Sequence, residues 1–192
     1  MTARAISPIE IRLATPADSR LLAELGAQAF AHTFGPDNTP ENLAAYLEGA
    51  FTPEIQAAEL AEPTSLFLVA QVEGVPVGYA RMREGVAPAA IRGAGPIEIA
   101  RFYARPDWIG RGVGAALMRA CLEQAGQRGC ATLWLDVWER NHRARAFYAR
   151  WGFRDVGAQP FQLGADLQTD VLMQRAVPQH DPQDPSPRSP GV

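Results

Sequence analysis

Three glycines at alternate positions, Gly110, Gly112 and Gly114, separate a strand-like stretch from a helix-like one, and this junction constrains the chain more than any other feature. Upstream, "IEIARFYA" (97–104) alternates like a strand and ends at Arg105-Pro106. Downstream, Val113, Leu117, Met118, Cys121, Leu122 and Ala125 recur at spacings of three and four, as in a helix packed on a sheet. Gly126 and Gly129 end that run, and "ATLWLDVW" (131–138) follows as a strand with Leu133, Leu135 and Val137 on one face. Strand, helix and strand in this order make a right-handed crossover. A helix that opens on glycines presents unpaired N–H groups and the positive end of its dipole, which together suit a phosphate.

The remaining segments are mixed. "IEIRLAT" (9–15) reads as a strand, and Thr15-Pro16 opens a helix through "ADSRLLAELGAQAF" (17–30). "TPENLAAYLEGAF" (39–51) is a second helix, with Thr39 as N-cap and Pro40 at its first position, and residues 53–62 form a third. Strands at 64–72 and 75–83 flank Glu73-Gly74, a hairpin turn signal. Residues 84–96 form a Gly/Ala/Pro loop. "NHRARAFYARW" (141–151) is a short helix stopped by Gly152, Phe153 opens the next strand, and "LQTDVLMQRAV" (167–177) is the last. The order predicts one mixed α/β domain over residues 1–177. The segment 178–192 has five prolines and no aromatic residue, and it is predicted to be a disordered tail.

Composition narrows the function classes. A hydrophobic fraction of 47% with 20% charged residues is that of an ordinary soluble domain, and a net charge of −3 advertises no nucleic-acid partner. Arg140, Arg143, Arg145 and Arg150 read as a solvated helix face. The N-terminus has no apolar leader and no apolar run is long enough to span a membrane, so a cytoplasmic chain without a membrane partner is expected. Cys121 and Cys130 sit inside apolar patterns as small buried residues of a reducing compartment. His32, His142 and His180 show no ligand spacing, and no metal site is expected.

Two phosphate readings compete for the glycines. Gly110, Gly112 and Ala115 satisfy G-x-G-x-x-A, with Asp136 near the end of the following strand, as a dinucleotide fingerprint requires. That fingerprint, however, places its first glycine at the strand end, whereas here "RPDWI" intervenes and several elements precede the motif. A P-loop fails, because no Gly-Lys-Ser/Thr follows.

The second reading uses more of the chain. "IEIARFYARPDWIGRGVGAALM" followed by "LWLDVWERNHRARAFYARWGF" resembles the GCN5-related N-acetyltransferases. Their acyl-CoA motif, Gln/Arg-x-x-Gly-x-Gly/Ala, precedes Asn-x-x-Ala-x-x-Phe-Tyr-x-x-x-Gly-Phe, and the second part is met at Asn141, Ala144, Phe147, Tyr148, Gly152 and Phe153. The likeness spans roughly residues 9 to 177. "FAHTFGPDNTPENLAAYLEGAF" and "LQTDVLMQRAV" bring it nearest to the PaiA-type, spermidine/spermine-like acetyltransferases. One position departs: Ile109 stands where the family has Gln or Arg. This removes a polar side chain from the pyrophosphate loop but leaves the backbone amides, with Arg111 beside them.

The resemblance implies a single domain with a central, mostly antiparallel sheet of six to seven strands, flanked by helices and splayed at the acyl-CoA site. It implies acetyl-CoA as cosubstrate. Gly110, Arg111, Gly112, Val113, Gly114 and Ala115 would wrap the pyrophosphate, and the strand carrying Phe102, Tyr103 and Ala104 would receive the pantetheine arm along its backbone. Asn141, an N-cap by position, would also reach the cofactor. Tyr148 would act as general acid at the departing thiolate. Glu98, eleven residues before Ile109 and pointing away from Ile97 and Ile99, would be the base, directly or through water, unless it only pairs with Arg101 or Arg81. The acceptor pocket is expected from residues 28–52 and the 84–96 loop, with His32, Phe34, Tyr46 and Trp138 as candidates and Glu41 as an attraction for a polyamine. The expected partner is a small-molecule or peptide amine, and a homodimer is left open. A non-catalytic acyl-CoA sensor and a protein N-terminal acetyltransferase are the alternatives.

Overall fold

The computed structural model describes residues 7–178, so the segment 179–192, nearly all of the expected tail, lies outside the described residues. The chain runs through β1 (Glu10–Leu13), α1 (Ser19–Phe34), α2 (Pro40–Ala50), α3 (Pro53–Ala61), β2 (Ser65–Val72), β3 (Val75–Glu84), β4 (Pro96–Ala104), α4 (Val113–Gln127), β5 (Thr132–Trp138), α5 (His142–Arg150), β6 (Arg154–Leu163) and β7 (Asp166–Ala176). Local chemistry accounts for most boundaries. The Thr39 hydroxyl accepts from the Asn42 N–H at 3.3 Å and that of Thr52 from the Ile55 N–H at 3.2 Å, each with proline at the first helical position. Glu73 and Gly74 take φ of 51° and 76°, the two left-handed conformations of a tight hairpin turn. The first helix differs from its expected span. It begins with a 3-10 turn at Pro16–Asp18, where the Asp18 carboxylate turns back to accept from the Thr15 N–H at 2.7 Å, and the α-helix itself runs from Ser19 to Phe34.

Among the described residues seven strands form one sheet in the order β1-β2-β3-β4-β5-β7-β6. Every neighbouring pair is antiparallel except β4 and β5, the two joined through α4. An open sheet with one parallel pair is not the doubly wound parallel sheet of a dinucleotide-binding domain, and that reading of Gly110, Gly112 and Ala115 is overturned.

Strand alternation sorts the side chains onto two faces. On one, Leu68, Met82, Ile97, Leu133, Leu135 and Met173 pack with Leu117, Met118 and Cys121 of α4 and with Tyr148 of α5. The Cys121 thiol is pushed up to about 12 by this burial, which leaves it an inert packing group. On the other face Phe67, Val69 and Tyr79 meet Leu22 and Leu25 of α1. Phe30 and Phe51 close the corner between α1, α2 and β6.

Candidate active site

The parallel pairing of β4 with β5 covers only Pro96↔Thr132, Ile97↔Leu133 and Glu98↔Trp134. Beyond it β4 continues to Ala104 bonded to β3 alone, and β5 continues to Trp138 bonded to β7 alone. The two facing edges therefore carry backbone N–H and C=O groups with no ladder between them. The split expected for the sheet is present at the expected strand.

At the open end of this gap lies the start of α4. Gly112 caps the helix at φ 91° with no side-chain hydrogen bond, and Gly110 also turns left-handed at φ 80°. The Ala116 N–H is the first to reach a helix carbonyl, that of Gly112 at 3.0 Å, so the amides of Val113, Gly114 and Ala115 point out of the helix end. The glycines serve different ends. A Cβ on Gly114 would stand 3.3 Å from the Phe147 ring, so this glycine also lets α4 and α5 approach. The side chains of Val113 and Arg111 are not brought to the gap. Val113 is buried against Gly78 of β3, and Arg111 lies over the Trp108 ring at 5.5 Å. Of the two, only the Val113 amide remains available to a ligand, because the Arg111 N–H already donates to the Trp108 carbonyl at 3.3 Å.

A single cavity of about 640 Å³ takes its walls from both faces of the sheet through this gap. From the α4–α5 side come Gly110, Gly112, Gly114, Ala115, Asn141 and Tyr148, with Phe102, Tyr103, Ala104 and Ile109 along the edge. Asn141 caps α5, its side chain accepting from the Ala144 N–H at 3.1 Å. Tyr148 is buried with its ring against Phe102, Phe147 and Phe153. Burial raises its phenol well above the usual range, so it carries its proton at neutral pH. Arg143 and Arg150, read from the sequence as solvated, are exposed but line this side of the cavity.

From the opposite side come His32, Phe34, Tyr46 and Trp138, all four expected acceptor residues, together with Phe30 and Phe161. Phe30 stacks on Phe34 at 4.2 Å and on Tyr46 at 4.4 Å, Phe34 meets Trp138 at 5.2 Å, and Tyr46 meets Phe161 at 5.5 Å. Glu41 is exposed in the first turn of α2 and lies outside this cavity. The 84–96 loop also differs from expectation. Its residues 84–88 border a second cavity, which shares Arg83, Glu98 and Asp136 with the first.

Charge in the cavity is mostly committed. Glu98 is buried, and both its oxygens accept from Arg83, at 2.5 and 3.2 Å, not from Arg81 or Arg101. A bulge explains the partner. Arg81 faces Arg101 but Met82 faces Ile99, so Ala100 is passed over and Arg83 comes opposite Glu98. Arg101 lines the cavity too, as does every residue of β4 from Glu98 to Ala104. Glu59 of α3 is shared by two guanidinium groups, those of Arg81 at 2.5 Å and of Arg101, and Arg81 also donates to Glu62 at 2.6 Å. Two further carboxylates complete the set. Asp136 on β5 accepts from Gln159 at 2.7 Å, and Asp170 on β7 sits opposite Trp138. Sequence reading missed Phe30, Phe161, Arg83, Glu59 and Asp170. The usable signal was an acidic residue inside an otherwise apolar strand, as in "TDVLM".

The donor set fits a long cosubstrate with a phosphate-bearing middle. Free helix amides stand at one end, an unpaired strand edge can bond an amide-bearing arm, and a phenol waits farther in.

Comparison with known proteins agrees in sequence and in shape. The family model described as "Acetyltransferase (GNAT) family" matches residues 27–153. An uncharacterized N-acetyltransferase of Lactobacillus delbrueckii subsp. lactis is 35% identical over 153 residues, covering 80% of this chain and 88% of that one. One of Mycobacterium bovis is 33% identical over 161 residues, covering 83% and 98%. Among solved structures, the PaiA N-acetyltransferase of Thermoplasma acidophilum in complex with coenzyme A superposes with a TM-score of 0.71 at 19% identity, over 88% of this chain and 99% of that one.

Proposed function

The chain belongs to the acetyltransferase (GNAT) family and is an N-acetyltransferase with acetyl-CoA as cosubstrate, and on that premise we propose that it acetylates a primary amine by direct attack within the cavity that crosses the sheet. The observation that carries this reading is the gap beyond Glu98 and Trp134, with free helix amides at its mouth and the Tyr148 phenol on its wall. In this reading the amides of Gly110, Gly112, Val113, Gly114 and Ala115 hold the pyrophosphate, that of Arg111 being bonded to the Trp108 carbonyl. The bare edge of β4 from Phe102 to Ala104 binds the pantetheine arm, and the thioester reaches Tyr148. Ile109 gives the phosphates no polar side chain, so the backbone carries that contact.

The acceptor enters from the aromatic side, past His32, Phe34, Tyr46 and Trp138. Tyr148 donates its proton to the leaving sulfur, a task for which a raised phenol is charged correctly at neutral pH. Glu98 lines the cavity as one acceptor for the amine's proton, directly or through water, although Arg83 donates to both of its oxygens. A sensor that only binds acyl-CoA has no use for a proton donor at the sulfur, and the small-molecule reading is favoured over a protein N-terminus by the aromatic wall of Phe34, Tyr46 and Trp138. The test is release of free thiol from acetyl-CoA with a panel of amines, namely 2-phenylethylamine, spermidine and alanine amide. Turnover with at least one is expected, and none with any of the three contradicts the proposal.

A further inference from the structure

We propose that Asp170, rather than Glu98, receives the acceptor's ammonium group and takes its proton, and that the acceptor is therefore an amine with a single positive charge on an apolar stem. This rests on the acetyltransferase reading above. Asp170 is 7% exposed, lines the same cavity as Tyr148, and its Oδ1 is a buried atom without a hydrogen-bond partner among the described residues. The other cavity carboxylates are engaged: Glu59 by Arg81 and Arg101, Glu98 by Arg83, Asp136 by Gln159. One bare acidic oxygen beside an aromatic wall is a site for one cation. A buried oxygen of this kind costs free energy until a donor fills it.

The surroundings keep Asp170 basic. Burial first, then the charges of Asp136 on β5 and of Glu139 just after it, push its carboxyl up to about 7. Asp136 is itself raised by burial. Tyr46 of α2, His32 of α1 and Arg143 and Arg150 of α5 line the same cavity, and β6 presents the neutral Gln159 opposite Asp170. A base poised near the working pH serves proton transfer best.

The step balances. The ammonium passes one proton to Asp170, and the freed nitrogen pair forms the C–N bond to the acetyl carbon. The C–S bond breaks with its electrons on sulfur, which takes the Tyr148 proton. The nitrogen's second proton restores the Tyr148 phenol, and Asp170 releases its proton to solvent. Ammonium and thioester become amide, thiol and one proton.

The experiment follows kcat/KM against pH with 2-phenylethylamine and spermidine. A primary amine of pKa near 10 is neutral in only roughly one molecule in 300–1000 at pH 7.5, so an enzyme without a base depends on that fraction. Wild type should rise through about pH 7 and then level, with 2-phenylethylamine the better acceptor. Asp170→Asn should lose roughly 10²–10³-fold at pH 7.5 and climb about tenfold per pH unit, closing most of the gap near pH 10. Glu98→Gln should lower the rate without removing the plateau. Asp170→Ser repeats the profile should the asparagine variant fold poorly. A parallel profile in both Asp170 variants, a plateau lost in Glu98→Gln, or preference for spermidine overturns the assignment. A wild type that acetylates no amine overturns instead the reading beneath it.

Discussion

Glu98 of β4 and Trp134 of β5 face each other in register, and they are the last residues of these two strands to do so. Everything proposed for the cavity depends on that parting. Were the ladder to continue, the Ile99–Ala104 edge would be saturated and the two faces of the sheet would be sealed from one another. The helix start at Gly112 and the aromatic wall around Tyr46 would then belong to separate surfaces.

Acetyl-CoA should raise the melting temperature, because it binds the folded chain and not the unfolded one. At a concentration of about 100 times Kd the gain is about 2.7 kcal/mol, or roughly 5–10 °C for a domain of this size. NADH and ATP should shift it little. A scan in which NADH alone protects contradicts the assignment of the helix start.

Gly112→Val should weaken both the fold and the cofactor site. The residue sits at φ 91°, where a branched side chain is strained, and its backbone begins α4. A stability loss of roughly 1–2 kcal/mol is expected, with weaker acetyl-CoA binding by calorimetry. Unchanged affinity would place the pyrophosphate elsewhere.

Glu59→Gln should be the more damaging change, although it lies far from the glycines in sequence. It leaves Arg81 and Arg101 side by side, with side chains 5% and 12% exposed and the carboxylate between them removed. Breaking a buried pair in this way costs about 3–5 kcal/mol. Urea unfolding measures it, and a loss below 1 kcal/mol would show the network to be decorative.

The Arg12–Asp18 pair makes an acid-sensitive contribution. The Arg12 side chain, then the Thr15 amide and hydroxyl, hold the Asp18 carboxyl at about 2, below its ordinary 3.8. A folded pKa below the unfolded one stabilises above the unfolded value and is lost as pH falls through the folded one. Wild type should therefore lose about 2 kcal/mol between pH 5 and 2 that Asp18→Asn never had. Melting curves of the two chains should converge toward pH 2. Curves that stay parallel over that range contradict the pairing.

Legibility in the sequence followed the range of each interaction. Glu73-Gly74, Thr39-Pro40 and the glycines before Val113 announce local geometry, because turn and cap chemistry is decided within a few residues. The element order and the packing faces of α4 and β5 were equally readable from periodicity. Two features were not. β7 slots between β5 and β6, a choice made by tertiary pairing, and the bulge at Ala100 moves Glu98 from its expected partners to Arg83. In the site, the expected acceptor aromatics did line one cavity. The free oxygen of Asp170 was invisible, since burial without a partner is set by β5, β6 and α2 packing around it.

The central claim is proton donation to sulfur by Tyr148, and Tyr148→Phe tests it most directly. The variant keeps the ring packed against Phe102, Phe147 and Phe153 and removes one O–H. Single-turnover and steady-state rates of thiol release should show kcat lower by roughly 10²–10⁴-fold, with melting temperature and acetyl-CoA affinity nearly unchanged. A kcat equal to that of wild type, or a loss confined to KM for the amine, would contradict the account.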